Sequence, residues 1–212
     1  MSIGLEEEVF VIGETPLDKP PTGPDGITTW AGDDSGGKVS SWNVAYYYAH
    51  GLSSNLDGKT IMTTSASSAL RTYAYNDIVG QKWYAPAGYT RGLTPHLSSL
   101  GYVSGVLGGP TTWVEDALDD GKCDSLYEEP KNINPITWRT AYMVLGQKTT
   151  SPMASALDRV NVSRLLKFIK RELRVSLVRY LMEPADETTW LNVKTNADGF
   201  LTSLLSRRGL YD

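Results

Sequence analysis

The chain has 212 residues, a hydrophobic share of 41% and a formal net charge of -4 at pH 7. This length allows one α/β domain or two small ones with a sizeable core, and the acidic balance argues against general nucleic-acid binding. The charges are unevenly distributed, since residues 1–36 carry eight acids against one base and residues 159–181 carry seven bases against one acid. This asymmetry indicates a protein that docks onto copies of itself or onto an acidic partner.

Cysteine use and hydropathy indicate where the protein is made. Cys123 is the only cysteine, so an intrachain disulfide is excluded. No apolar run approaches the roughly 18 residues that a membrane span requires, and the N-terminus carries acids where a signal peptide carries bases. The sequence therefore predicts a protein that is made in the cytosol, has no membrane anchor and is not exported.

The first 40 residues are predicted to be a short strand followed by a loop. The strand lies in EEVFVIG, and Gly, Pro, Asp, Ser and Thr dominate residues 13–41. A lone strand has to join a sheet formed elsewhere, which hints at an absent N-terminal portion. We therefore predict a boundary at residue 40, with residues 41–212 forming an α/β domain.

From residue 41 the chain alternates strand and helix signals, which is typical of α/β folds. DGKTIMTT predicts a turn that runs into a strand. SASSALRTYAYND predicts a helix with Ala69, Leu70, Tyr73 and Ala74 at helical spacing, and KWYAPAGYTRGL predicts a loop. A further short helix is predicted between Thr112 and Asp120, with Thr112 as its N-cap. INPITWRT and AYMVLG then predict a β-hairpin.

The last 50 residues give the clearest helical pattern. A basic amphipathic helix is predicted near residues 161–182, with an apolar face of Val162, Leu165, Leu166, Ile169, Leu173 and Leu177 and a basic face of Arg164, Lys167, Arg171 and Arg174. Pro184 ends this helix, Asp186 caps a second one, and Gly209 stops it. The predicted fold class is α/β (α+β), with a small mixed sheet that contains a β-hairpin and is covered by helices, including this C-terminal helical hairpin.

The residues that carry chemistry do not form a known catalytic or metal pattern. The only histidines, His50 and His96, lie beside turn signals and outside any nucleophile motif. One cysteine and two distant histidines do not supply a zinc set, and the paired acids lack the spacing of a calcium loop. We therefore predict a non-enzymatic protein with no cofactor and no metal.

The basic helix is the strongest candidate for a binding site. Its charges are nearly all of one sign, so the i to i+4 ion pairs that stabilise an exposed helix are largely absent. Phe168, Val175 and Val178 also lie on or beside the basic side, which a purely solvated face would not require. These features favour a partner-binding role for Arg164, Lys167, Arg171 and Arg174.

Five segments in order resemble the contractile tail sheath proteins of myophages and related injection systems. They are NVAYYYAHGLSSNLDGKTIMTTSASSALRTYAYND, KWYAPAGYTRG, NINPI, LGQKTT and the final helical pair from DRVNVSRLLKFIKREL to LLSRRG. The resemblance covers about residues 41–210 and corresponds to the C-terminal half of a sheath subunit. It implies a virion protein, assembled in the host cytoplasm, whose copies stack as rings or a helical lattice around an inner tail tube.

The resemblance also implies a mechanical role. The sheath contracts and drives the tube through a cell envelope, and the tube is contacted through charges on a C-terminal helix, for which the basic helix is the matching candidate. Sheath subunits usually continue beyond RRGLYD into a strand-adding arm, so the chain is expected to be either a shortened member or a fragment without its assembly arms. A sheath-like initiator or terminator at a tail end is an alternative. Further alternatives are a basic-helix adaptor for nucleic acid or membrane and an α/β enzyme.

Overall fold

The computed structural model describes residues 9–32, 37–105 and 110–211. The described part of the chain divides into two compact units, of which one is Phe10–Ser163 and the other comprises residues 164–211 with Val9. Much of the predicted acidic N-terminal cluster, namely Glu6, Glu7, Glu8, Asp33 and Asp34, lies outside the described residues. The domain boundary at residue 40 stays a prediction.

Within the described residues, Phe10–Ser163 contains two four-stranded sheets. The first has the order β1 (Val11–Glu14), β2 (Val44–Tyr48), β7 (Ile133–Trp138) and β8 (Tyr142–Val144). Its first three strands are parallel and β8 is antiparallel to β7. The second sheet is antiparallel, with the order β4 (Thr60–Thr63), β3 (His50–Ser54), β5 (Leu97–Gly105) and β6 (Thr111–Glu115). The predicted mixed sheet and its β7–β8 hairpin are confirmed, and the second sheet was not predicted.

Six α-helices are found in the described part of the chain. They are α1 (Ile27–Gly32), α2 (Ser65–Val79), α3 (Gly88–Arg91), α4 (Asp120–Tyr127), α5 (Val160–Leu177) and α6 (Glu187–Ser206). Two 3₁₀ turns, Ala156–Asp158 and Val178–Tyr180, flank α5. No helix among the described residues is long and apolar enough to cross a membrane.

Strand β2 forms the centre of the larger unit. All five of its residues, VAYYY, are buried, as expected for aromatic residues on a strand covered on both faces. Tyr47 lies edge-on to Tyr73 of α2, and their hydroxyl oxygens are 2.5 Å apart. Because β1 pairs in parallel with β2 over four residues, the predicted N-terminal strand joins a sheet of this same chain.

Asn134 links the mixed sheet to the segment that follows β8. Its side chain is fully buried, and Nδ2 donates to the carbonyl oxygens of Tyr46 (3.0 Å) and Lys148 (2.8 Å). Its Oδ1 accepts from the backbone N–H of Lys148 at 2.6 Å. One buried side chain therefore makes three hydrogen bonds to backbone groups of two separate segments.

Helix α2 is confirmed, but its predicted inward face is partly wrong. Ala69 and Tyr73 are buried, whereas Leu70 is 59% exposed and Ala74 is also exposed. The buried side includes polar residues whose groups bond the following loop, since Asn76 donates to the carbonyl oxygens of Gln81 and Tyr84. Of the four residues that hydrophobicity selected, two, Ala69 and Tyr73, therefore lie on the buried side of the helix.

The helix predicted between Thr112 and Asp120 is wrong. Residues 111–115 form strand β6, which pairs with β5, and the helix α4 begins at Asp120, where the predicted helix was to end. The β-branched and aromatic residues of TTWV favour a strand when a partner strand is present. The N-cap is Asp119, whose Oδ1 accepts from the backbone N–H of Lys122 at 2.7 Å.

This correction can be tested by comparing two alanine substitutions. Asp119→Ala removes the cap of α4, so we expect it to lower the free energy of unfolding by about 1 kcal/mol. Thr112→Ala changes an exposed position of an edge strand and should alter that free energy by less than about 0.5 kcal/mol. Urea denaturation of both variants measures the difference, and a larger loss for Thr112→Ala would contradict this assignment of caps.

The C-terminal unit contains the predicted pair of helices. Asp186 caps α6, because its Oδ1 accepts from the backbone N–H of Thr189 at 2.7 Å, and this hydrogen bond lowers the pKa of the carboxyl group. The Phe168 ring of α5 and the Phe200 ring of α6 are 6.2 Å apart, so the two helices contact each other as a hairpin. Helix α5 ends at Leu177, earlier than predicted, and continues as a 3₁₀ turn.

Candidate functional site

The four predicted site residues all lie on α5, but they differ in exposure. Lys167 is buried, with 6% of its surface exposed, and Arg164 is half-buried. Arg171 and Arg174 are exposed. The exposed basic surface is therefore confined to the C-terminal half of the helix, where the carbonyl end of the helix dipole favours positive charge.

Exposed apolar side chains accompany the two arginines. Val175 is 66% exposed and Val178 is 57% exposed, and at about 100° per residue both fall in the same sector as Arg171 and Arg174. The predicted apolar component of the basic face is thus present for these two valines. Phe168 differs, since it is half-buried and contacts Phe200.

The turn between α5 and α6 extends this surface. Leu181, Met182, Trp190 and Leu191 are each more than 60% exposed. Beside them lies a cavity of about 430 Å³, whose lining includes Tyr180, Pro184, Trp190 and Val193. The size and amphipathic ring of Trp190 are the sequence signal that could have indicated a binding surface here.

We call this surface the hairpin tip; it comprises Arg171, Arg174, Val175, Val178, Leu181, Met182, Trp190 and Leu191. Exposed apolar side chains concentrated on one helical hairpin typically mark a place where another molecule docks. Its Trp, Met and Arg side chains are of the types enriched at binding interfaces. The arrangement is suited to binding a protein surface that carries acids around an apolar centre.

The two histidines lie in different surroundings. His50 is fully buried, and burial lowers the pKa of its imidazole. His96 is half-buried and its Nε2 lies 3.3 Å from Oγ of Ser68. Within the described ranges, no group of three or more His, Cys, Asp or Glu side chains is arranged to hold a metal ion.

The fold is that of the sheaths of contractile injection systems. The contracted helical sheath of the anti-feeding prophage matches 97% of this chain and 48% of its own, with a TM-score of 0.69 and 18% identity. The contracted sheath complex of the extracellular contractile injection system PVC matches 96% of this chain and 49% of its own, with a TM-score of 0.67 and 22% identity. At these identities the likeness establishes the fold alone.

Sequence similarity leads to tail sheath proteins. The tail sheath protein of Vibrio phage KVP40 is 32% identical over 143 residues, which are 66% of this chain and 19% of the relative. The tail sheath protein of Enterobacteria phage T4 is 28% identical over 141 residues, again 66% of this chain and 19% of the relative. No model of a protein family matches the chain. The predicted resemblance to contractile tail sheath proteins is confirmed, and the chain spans about a fifth of the length of these curated relatives.

Proposed function

We propose that this chain is a structural subunit of a contractile tail sheath, which packs around an inner tail tube and contracts to drive that tube through a cell envelope. The observation that carries the proposal is the 32% identity to a tail sheath protein over 143 residues. It is supported by a fold shared with contracted sheaths over nearly the whole chain. The subunit is non-enzymatic, needs no cofactor, and belongs to the virion tail after assembly in the host cytoplasm.

The proposed assembly is a homo-oligomer of stacked rings or a helical lattice. A lattice of this type requires heterologous contacts, in which two different patches of one chain meet on neighbouring copies. The proposed second partner is the tube protein, and neither nucleic acid nor a membrane anchor takes part. Electron microscopy of the purified chain, with and without tube protein, tests this function. We expect rings or helical particles around tubes. Monomers that persist and do not bind tubes would contradict the proposal.

We assign the tube contact to α5, within the basic set Arg164, Lys167, Arg171 and Arg174. Arg171 and Arg174 contact the partner directly, since they are exposed. Lys167 is buried, and its role is to hold the helix in position. The apolar side chains of the hairpin tip lie beside the two arginines and exclude water from the contact. The matching surface of the tube is acidic.

Charge reversal at the exposed arginines tests this assignment. We expect Arg171→Glu combined with Arg174→Glu to weaken co-sedimentation with tube protein at least about tenfold at low salt, because two attractive contacts become repulsive. The wild-type interaction should weaken as salt is raised. Binding by the double variant that equals wild-type binding would overturn the assignment.

A charge-matched control separates local contact from net charge. Arg207→Glu with Arg208→Glu makes the same change in net charge at two exposed residues that follow α6. This control should bind tube protein as the wild type does. Far-ultraviolet circular dichroism should show the same helix content for all three proteins.

A further inference from the structure

Two histidines converge on the first turn of α2. Nδ1 of His50, at the start of β3, accepts a hydrogen bond from the backbone N–H of Ser65 at 3.2 Å. Nε2 of His96 lies 3.3 Å from Oγ of Ser68 in the same turn. The proposed sheath function uses neither residue, although His50 is fully buried and is one of few buried side chains that titrate near neutral pH.

The geometry around Nδ1 of His50 offers one partner to each protonation state. A neutral imidazole accepts through Nδ1, and the Ser65 N–H fills that role. A protonated imidazole donates through Nδ1 and cannot accept, and Oε1 of Glu14 lies 3.7 Å from that same nitrogen. The first partner begins α2 and the second ends β1, so the two partners belong to different elements.

We propose that His50 is an acid-sensitive latch, which bonds the first residue of α2 when it is neutral and turns to Glu14 of β1 when it is protonated. Protonation leaves the Ser65 amide without its acceptor and puts positive charge at the N-terminus of α2, where the helix dipole opposes it. The first turn of α2 therefore loosens as the pH falls through the pKa of His50. This inference does not depend on the proposed sheath function.

The groups around His50 determine whether its pKa is raised or lowered in the folded protein. Burial lowers the pKa of His50 more than the backbone carbonyls of Pro16 and Thr15 raise it. Burial raises the pKa of Glu14 more than its hydrogen bond with the Thr64 side chain lowers it. The Tyr48 ring of β2 lies 6.1 Å from the imidazole, and burial together with Asp116 and Tyr102 raises its pKa, so it stays neutral.

The neighbouring histidine acts in the same direction. Burial and the nearby Arg71 lower the pKa of His96. Because both histidines are held below their unfolded pKa of about 6.5, the stabilisation that they provide is complete above that pH and declines as the pH falls.

Hydrogen exchange of single amides, followed from pH 8 down through the protonation of His50, tests the latch in the full chain. After correction for the intrinsic exchange rate, we expect the protection of the Ser65 amide to fall about fivefold to tenfold as His50 protonates. The Gly80 amide, which bonds the carbonyl oxygen of Asn76 at the other end of α2, should keep its protection. Protection of Ser65 that does not change with pH would overturn the proposal.

Three variants separate the latch from a merely structural role. His50→Asn keeps a short acceptor without a titrating group and should remove the pH dependence at Ser65. Glu14→Gln removes the carboxylate and should move the transition to lower pH, and it keeps the proposal testable if His50→Asn fails to fold. His96→Asn should leave the transition of Ser65 in place. A transition that persists in His50→Asn, or that is unmoved in Glu14→Gln, contradicts the latch.

Discussion

Asn134→Ala is expected to lower the free energy of unfolding by about 3 to 5 kcal/mol, because a fully buried side chain and its three hydrogen bonds to the backbone are lost at once. The side chain donates to the carbonyl oxygens of Tyr46 and Lys148 and accepts from the Lys148 N–H. The Asn134 side chain itself is shielded from water, since Asn134 is 0% exposed. Urea denaturation at pH 7 measures the loss.

A second substitution at this site shows which group matters. Asn134→Asp has nearly the same shape, but at neutral pH it places a carboxylate against two carbonyl oxygens, so we expect at least as large a loss as in Asn134→Ala. Lowering the pH should recover part of it, because the protonated acid donates a hydrogen bond. Asn192→Ala, at an exposed position of α6, serves as control. A loss below about 1 kcal/mol for Asn134→Ala would show that the backbone relaxes around the gap.

Gly101→Ala is expected to cost about 3 kcal/mol and to separate β6 from β5. A Cβ atom at Gly101 would lie 2.0 Å from the carbonyl oxygen of Val114, and that atom is backbone of the neighbouring strand, which cannot turn aside as a side chain does. Chemical denaturation measures the cost. Hydrogen exchange should show loss of protection in residues 111–115, and unchanged protection there would contradict the prediction.

Gly199→Ala provides the matched control with the opposite sign. Gly199 lies inside α6, and a Cβ atom there would meet nothing within 4 Å. Alanine in a helix interior is favoured over glycine, so we expect this variant to stabilise α6 by about 0.5 to 1 kcal/mol. The pair therefore tests whether the surroundings of each glycine, rather than glycine content, decide the outcome.

Elements with strong local signals were predicted correctly. The helical hairpin follows from periodic leucines, from Pro184 and from the capping carboxylate of Asp186, all of which act within a few residues. The β7–β8 hairpin and the β4 strand were found for the same reason. Strand β6 was missed because Thr112 and Glu115 have the spacing of a helix capping box. Only the pairing with β5 distinguishes a strand from a helix in this segment.

The candidate site was predicted in part. Charge and periodicity selected α5 and placed Arg171, Arg174, Val175 and Val178 in one sector, and all four are exposed. Periodicity also placed Lys167 on this basic face and predicted it as a binding residue, although it is buried. A helical wheel gives only the angle of each side chain about the helix axis. Burial also depends on which other parts of the protein pack against that side of the helix.

The amino-acid sequence by itself determined the class of fold, the C-terminal helix pair and the resemblance to tail sheath proteins, because these depend on local periodicity and on the order of short segments. The tertiary structure alone decided which side of α2 is buried and which basic residues of α5 are exposed. It also decided that Nδ1 of His50 lies near both the Ser65 amide and the Glu14 carboxylate. Those features arise from contacts between residues far apart in the chain. No local pattern specifies them.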